Sequence, residues 1–173
     1  LEFFRRRVFA RANVLYAVLY AALAGTLFFV SLYFQNVQGY SALETGISWL
    51  VMNAPFLAVS VIAGRIQARF GARRVVLAGT VLGGIGVLAF VPLGVDSSFA
   101  AAVPAYLVLG LGYGLSVPAL STVAMGAIEV EHAGVASGVL NTSRQVGASV
   151  GLAALTAIGT AAAAGPWTDD ADA

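Results

Sequence analysis

The sequence predicts an all-α integral membrane protein of five transmembrane helices, N-terminus inside and C-terminus outside. Three observations carry this. Hydrophobic residues are 60% of the 173 and charged residues 10%, against about a quarter charged in a soluble domain, and the mean hydropathy is +0.90. Thr45–Ala63 and Val75–Val95 hold no charged residue, and at about 1.5 Å per residue each can cross a ~30 Å apolar core. Finally, Arg5, Arg6, Arg7 and Arg11 form one basic segment and Arg65, Arg69, Arg73 and Arg74 a second. Alternation puts both on the same side, and cytoplasmic loops carry the excess of basic residues.

Composition excludes several classes. The absence of cysteine removes disulfides, thiolate nucleophiles and cysteine metal sites. A net charge of +1 with arginines segregated by membrane side gives no nucleic-acid surface. All nine basic residues are arginine, which fits a GC-rich bacterial genome and a multi-pass protein of the cell membrane. The chain starts at Leu1 rather than methionine and ends in an acidic stretch, so a piece of a longer protein is expected.

In order, the basic segment Leu1–Arg11 leads into a first helix of about 13–34. A cleaved leader would also start basic and apolar, but the apolar run continues through Thr26–Phe34, beyond the ~7–15 residues of a leader's apolar region. Gln35–Glu44 is the external connection. The second helix, about 45–63, contains Pro55, which removes a backbone donor and favours a kink. The basic stretch 64–74 is expected as a cytoplasmic loop. The third helix, about 75–93, has Thr80 as its polar side chain and Gly79, Gly83, Gly84 and Gly86, a pattern for close packing with much of the helix facing lipid. Asp96–Ser98 turns outside. In the fourth helix, about 100–124, Gly110, Gly114 and Pro118 share a face. Glu129–His132 is the next inside loop. The fifth helix, about 133–162, is interrupted by Arg144, and the acidic tail 165–173 falls outside.

Arg144 is the leading functional candidate. It lies about 16 Å into its helix, where a charge costs about 2.5–3.5 kcal/mol or more and normally faces a partner or a water-filled cavity. Ser137, Asn141, Gln145 and Ser149 recur every four residues beside it, one polar stripe. Gly134, Gly138, Gly147 and Gly151 supply packing positions. Weaker candidates for a cavity wall are Tyr16 and Tyr20 on the first helix, Trp49 and Asn53 on the second and Tyr113 on the fourth. Such aromatic and amide groups suit lipophilic, often cationic, small molecules. No metal site is expected: the single histidine, His132, lacks a His-Glu-x-x-His partner. Nor does any nucleophile have a base beside it, so the chain is not expected to be an enzyme.

Two stretches resemble the major facilitator superfamily, in its fourteen-helix drug:proton antiporter branch. Gly64-x-Ile66-x-Ala68-Arg69-x-Gly71-x-Arg73-Arg74 is similar to the superfamily's basic loop Gly-x-Leu-x-Asp-Arg-x-Gly-Arg-Arg/Lys, with Ala68 in place of the acid and Ala72 in place of a base. There Gly64 would allow close helix approach, Gly71 a left-handed turn, and the arginines would complement the carbonyl end of the second helix. Gly134-x-Ala136-Ser137-Gly138-x-x-Asn141-Thr142-Ser143-Arg144-Gln145-x-Gly147-x-x-x-Gly151 resembles the branch's penultimate helix, and Tyr33-Phe34-Gln35-x-x-x-Gly39-x-Ser41-x-Leu43-x-x-Gly46 its ninth helix and following loop. The resemblance implies a partial C-terminal half, five helices of a six-helix half-bundle, whose partners are the bilayer, an N-terminal half, a final helix and a small lipophilic substrate. It implies proton-coupled export by alternating access with no cofactor beyond the proton. The first and fourth helices would line the cavity, the second and fifth form its sides, and the third face lipid. The rival expectation is a non-transporting truncated paralogue, or a membrane subunit that binds a partner through glycine-rich faces.

Overall fold

A computed structural model describes residues 7–95 and 97–163. The expectations for Arg5, Arg6 and the acidic tail lie outside the described residues. Within them are five α-helices and no strand: α1 (Arg7–Leu32), α2 (Ala42–Phe70), α3 (Ala72–Leu88), α4 (Phe99–Gly126) and α5 (Ala133–Ala163). A π-helical turn, Tyr33–Val37, prolongs α1, and a 3-10 turn, Val130–His132, precedes α5. Three segments are long and apolar enough to cross a membrane: Arg7–Val37, Ala42–Phe70 and Phe99–Gly126. α3 has 17 residues, and α5 interleaves its apolar residues with Ser, Thr, Asn, Gln and Arg.

The basic stretch 64–74 is not a loop. α2 runs through Arg65 and Arg69 to Phe70, and α3 starts at Ala72, so Gly71 alone joins them. Gln67, Ala68 and Arg69 are good helix formers, and charge sets where the apolar medium ends rather than where the helix ends. Gly71 turns the chain with φ 84° and ψ 143°, a conformation that glycine tolerates because it has no Cβ. Its N–H donates to the Gln67 carbonyl at 2.8 Å. Arg69, in the last turn of α2, therefore complements its carbonyl end, whereas Arg73 and Arg74 occupy the first turn of α3, the end that disfavours cations.

The other boundaries shift for local reasons. α2 starts earlier than residue 45 because Ser41 caps it. The Ser41 hydroxyl accepts from the Glu44 N–H at 3.2 Å, while the Glu44 carboxylate accepts from the Ser41 N–H at 2.8 Å, a reciprocal capping box. α3 stops at Leu88 rather than near 93. Pro92 follows, and a proline disfavours helical geometry in the residue before it.

α4 is the hub, packing against α2 and α3 and, less extensively, α1; α5 packs on α1. The glycines of α4 are divided between neighbours. A Cβ on Gly112 would lie 2.6 Å from the Gly83 Cα of α3. On Gly110 it would lie 2.8 Å from the Pro55 ring of α2, and on Gly114 2.8 Å from the Phe56 carbonyl oxygen. In the opposing helix, Gly79, Gly83 and Gly86 face α4, leaving Leu77, Val81, Ile85 and Leu88 exposed. α3 thus has one small-residue face and one aliphatic face. On the far side, Gly147 and Gly151 of α5 leave no room for a side chain against Ala17 and Ala21 of α1.

Candidate functional site

The site forms where α1, α2 and α4 meet near the middle of their lengths, with α5 alongside. Tyr20, Asn53 and Tyr113 line one cavity of about 110 Å³ with Leu23, Met52, Phe56, Gly110 and Val117. Three residues marked as candidates from separate helices are thus brought together. Gly110 contributes by having no side chain, which lets Met52 and Pro55 of α2 approach the α4 backbone.

Two tyrosines named as candidates for a cavity wall use their hydroxyls to tie the helices together. Tyr16, fully buried, donates from its hydroxyl to the Val117 carbonyl of α4 at 2.8 Å. Tyr113, also buried, donates to the Leu19 carbonyl of α1 at 2.6 Å. The bonds are reciprocal, one tyrosine from each helix reaching the other's backbone. The ring of Tyr113 faces the cavity while its proton is committed elsewhere. A third tie joins α1 to α5. Asn13 donates to the Phe9 carbonyl at 2.8 Å and accepts from the Ser143 hydroxyl at 2.7 Å.

That tie places Arg144. Its guanidinium carbon lies 5.1 Å from the ring centroid of Tyr20, within cation–π range, and Tyr20 stacks on Tyr16 at 6.0 Å. One terminal nitrogen donates to the Asn141 side-chain carbonyl at 2.9 Å. Its Nε is buried without a hydrogen-bond partner. A guanidinium carries five N–H donors and no acceptor, so this group is short of acceptors. The indole N–H of Trp49 is likewise buried and unpaired, and Asn53 spends its amide N–H₂ on the Trp49 carbonyl at 2.9 Å. Asn141 and Gln145 are exposed, as are Ser137 and Ser149. The polar stripe of α5 therefore points away from the other four helices.

The glycine candidates separate. Gly147 and Gly151 sit in the α1–α5 contact, but an added Cβ on Gly134, Gly138 or Gly64 would meet nothing within 4 Å among the described residues. Among the described residues, the packing role expected of Gly134 and Gly138 and the close approach expected at Gly64 are therefore not seen, because these glycines are exposed while Ala136, Leu140 and Ala63 beside them take the buried face. Met52, Leu23 and Val117 were not singled out from sequence. Single apolar residues in an apolar helix carry no signal.

A sequence profile of the Major Facilitator Superfamily matches residues 1–152. The chain belongs to the major facilitator superfamily. It is 32% identical over 158 residues to a multidrug resistance protein, Stp, of Mycobacterium tuberculosis, covering 91% of this chain and 29% of that protein. It is 31% identical over 154 residues to a methylenomycin A resistance protein of Streptomyces coelicolor, covering 89% and 32% respectively. It is 30% identical over 155 residues to a tetracenomycin C resistance and export protein of Streptomyces glaucescens, covering 90% and 29%. The chain thus spans about three-tenths of the length of these relatives. No solved structure matches it with statistical support. The superfamily is one of multi-pass membrane transporters, a family that is not one of enzymes.

Proposed function

We propose that these helices form part of the C-terminal half of a proton-driven exporter of lipophilic small molecules in a bacterial cell membrane, with the basic corner at Gly71 cytoplasmic and all five helices spanning. The exported class follows the relatives whose names carry resistance or export. The fourteen-helix branch follows the motif on α5. The observation that carries the reading is the exposed stripe Ser137, Asn141, Gln145 and Ser149 beside a half-buried Arg144. Two amides and a guanidinium at mid-helix are costly against lipid. They are stable against a water-filled cavity shared with another half, the usual midplane site of such transporters. Arg144, Asn141, Gln145, Tyr20, Trp49, Asn53 and Tyr113 are its proposed lining on this side.

No Asp or Glu occurs between Thr45 and Val95, between Phe99 and Ile128 or between Ala133 and Gly165. The carrier of the coupling proton is therefore assigned to the rest of the protein, with Arg144 acting on it or on the substrate electrostatically. Arg144→Ala in the intact protein is expected to cut proton-driven efflux by about tenfold or more, the loss of one charge-assisted contact, with membrane insertion unchanged. Arg144→Lys keeps the charge but not the planar stack on Tyr20 and is expected to fall between. Normal efflux from well-inserted Arg144→Ala would overturn the role, and the non-transporting reading would gain if the intact protein moved no substrate.

A further inference from the structure

We propose that the corner between α2 and α3 is a binding site for an anionic phospholipid of the cytoplasmic leaflet, its phosphate held by Arg74, Arg73 and Arg69 and one acyl chain lying in the adjoining groove. The groove holds about 230 Å³ and is lined by Ile66, Phe70, Val75, Ala78 and Leu115, with Arg74 on its rim. It draws on α2, α3 and α4 together, so it is a feature of the fold and not of one helix. Its lining is apolar apart from that single guanidinium. Phe70, at 53% exposed, forms part of its wall and carries the Arg69 guanidinium 5.5 Å over its ring. Stacked in this way, an arginine keeps its N–H edge free for a phosphate.

Charge complementarity favours this occupant over a neutral one. Arg65, Arg69, Arg73 and Arg74 are all exposed, no acid occurs from Thr45 to Val95, and Glu44 of α2 lies in the first turn at the opposite end of that helix. Arg73 and Arg74 also stand in the first turn of α3, whose N-terminus has no side-chain cap. The free N–H groups and the positive helix end there add to the arginine field instead of offsetting it. An anion relieves that repulsion, and a lipid anion brings the chain that the groove fits. Basic pockets between membrane helices on the cytoplasmic side are suited to such headgroups. The inference rests on the proposed cytoplasmic placement of the Gly71 corner and does not depend on what the central site transports.

The intact protein, reconstituted in nanodiscs of phosphatidylcholine with phosphatidylglycerol as the probe, would be released into the gas phase and its retained lipids counted by native mass spectrometry. Retention of phosphatidylglycerol over phosphatidylcholine is expected. Arg73→Gln with Arg74→Gln is expected to weaken it about 25-fold, at about fivefold for each basic residue near an anionic surface. Arg73→Lys with Arg74→Lys, which preserves charge and membrane orientation, is expected to retain most of it and so separates lipid loss from misfolding. Ala78→Phe fills the groove without touching a charge and is expected to weaken phosphatidylglycerol retention as well. Equal retention by the wild type and the double glutamine variant would overturn the site. Unchanged retention by Ala78→Phe, or displacement of the lipid by inorganic phosphate, would overturn the lipid and leave a simple anion patch.

Discussion

Four glycines of α5, Gly134, Gly138, Gly147 and Gly151, provide a sharp perturbation, because the sequence motif treats them alike and the structure does not. A Cβ on Gly147 would lie 2.5 Å from the Cα and 2.7 Å from the carbonyl carbon of Ala17, and also against its carbonyl oxygen. These are backbone atoms of α1 that no rotamer change can move. Restoring ordinary contact to these atoms requires the two helices to part by about 1 Å. A radial gap of 0.5–1 Å forfeits roughly a quarter to a half of each dispersion contact along the seam, and overpacking costs about 1–3 kcal/mol. Gly147→Ala is therefore expected to lower the stability of the intact protein by about 1–3 kcal/mol, less the ~0.5–1 kcal/mol that alanine gains over glycine within a helix. Gly138→Ala and Gly134→Ala meet nothing among the described residues and are expected to show only that gain. Thermal unfolding in one detergent, read from the fraction surviving as a monodisperse species after heating, compares the variants directly. The same sign and size of shift for Gly147→Ala and Gly138→Ala would refute the α1–α5 seam. Parting the seam also lifts Arg144 off Tyr20, so transport is expected to fall more steeply than stability does.

The reciprocal tyrosines and the asparagine tie can be probed in the same assay. Tyr113→Phe removes the bond to the Leu19 carbonyl but keeps the ring in the cavity; a loss of about 0.5–1 kcal/mol with transport retained is expected, whereas Tyr113→Ala is expected to lose both. For Asn13 and Ser143, a double-mutant cycle with alanine is expected to give a coupling of about 0.5–1.5 kcal/mol, and additive losses would mean that the 2.7 Å contact contributes nothing.

Much of the fold is legible from the apolar runs, because a helix crossing lipid must be apolar over a length set by the bilayer. The face shared by Gly110 and Gly114 could be read from their spacing, and Gly112, two residues from each, could have been read as a second face toward another helix. The end of α2 could not be located in this way, since arginines mark an aqueous boundary and continue happily in a helix up to Gly71. At the site, Arg144 stood out because an isolated charge in an apolar helix needs an explanation. The use of the Tyr16 and Tyr113 hydroxyls was hidden, because their acceptors, Val117 and Leu19, are backbone carbonyls whose availability depends on helix pairing. The same pairing decides which of the α5 glycines pack.

That pairing also bears on how the segment moves. α2 packs on α4 while α5 packs on α1, so the second helix of each run lies against the first helix of the other. The two lead helices, α1 and α4, are joined by the crossed bonds from Tyr16 to Val117 and from Tyr113 to Leu19. Sliding α1 along α4 would break both bonds together and strand two buried hydroxyls, at about 1–3 kcal/mol for each unsatisfied group. α5 follows α1 through Gly147, Gly151 and the Asn13–Ser143 bond, while α3 and α2 follow α4 through their glycine contacts. Internal rearrangement is therefore costly at every seam, whereas moving the five helices as one body breaks none of these contacts. On the proposed reading, the exposed stripe of α5 then belongs to the surface across which such a body would rock, with Arg144 carried along by α1.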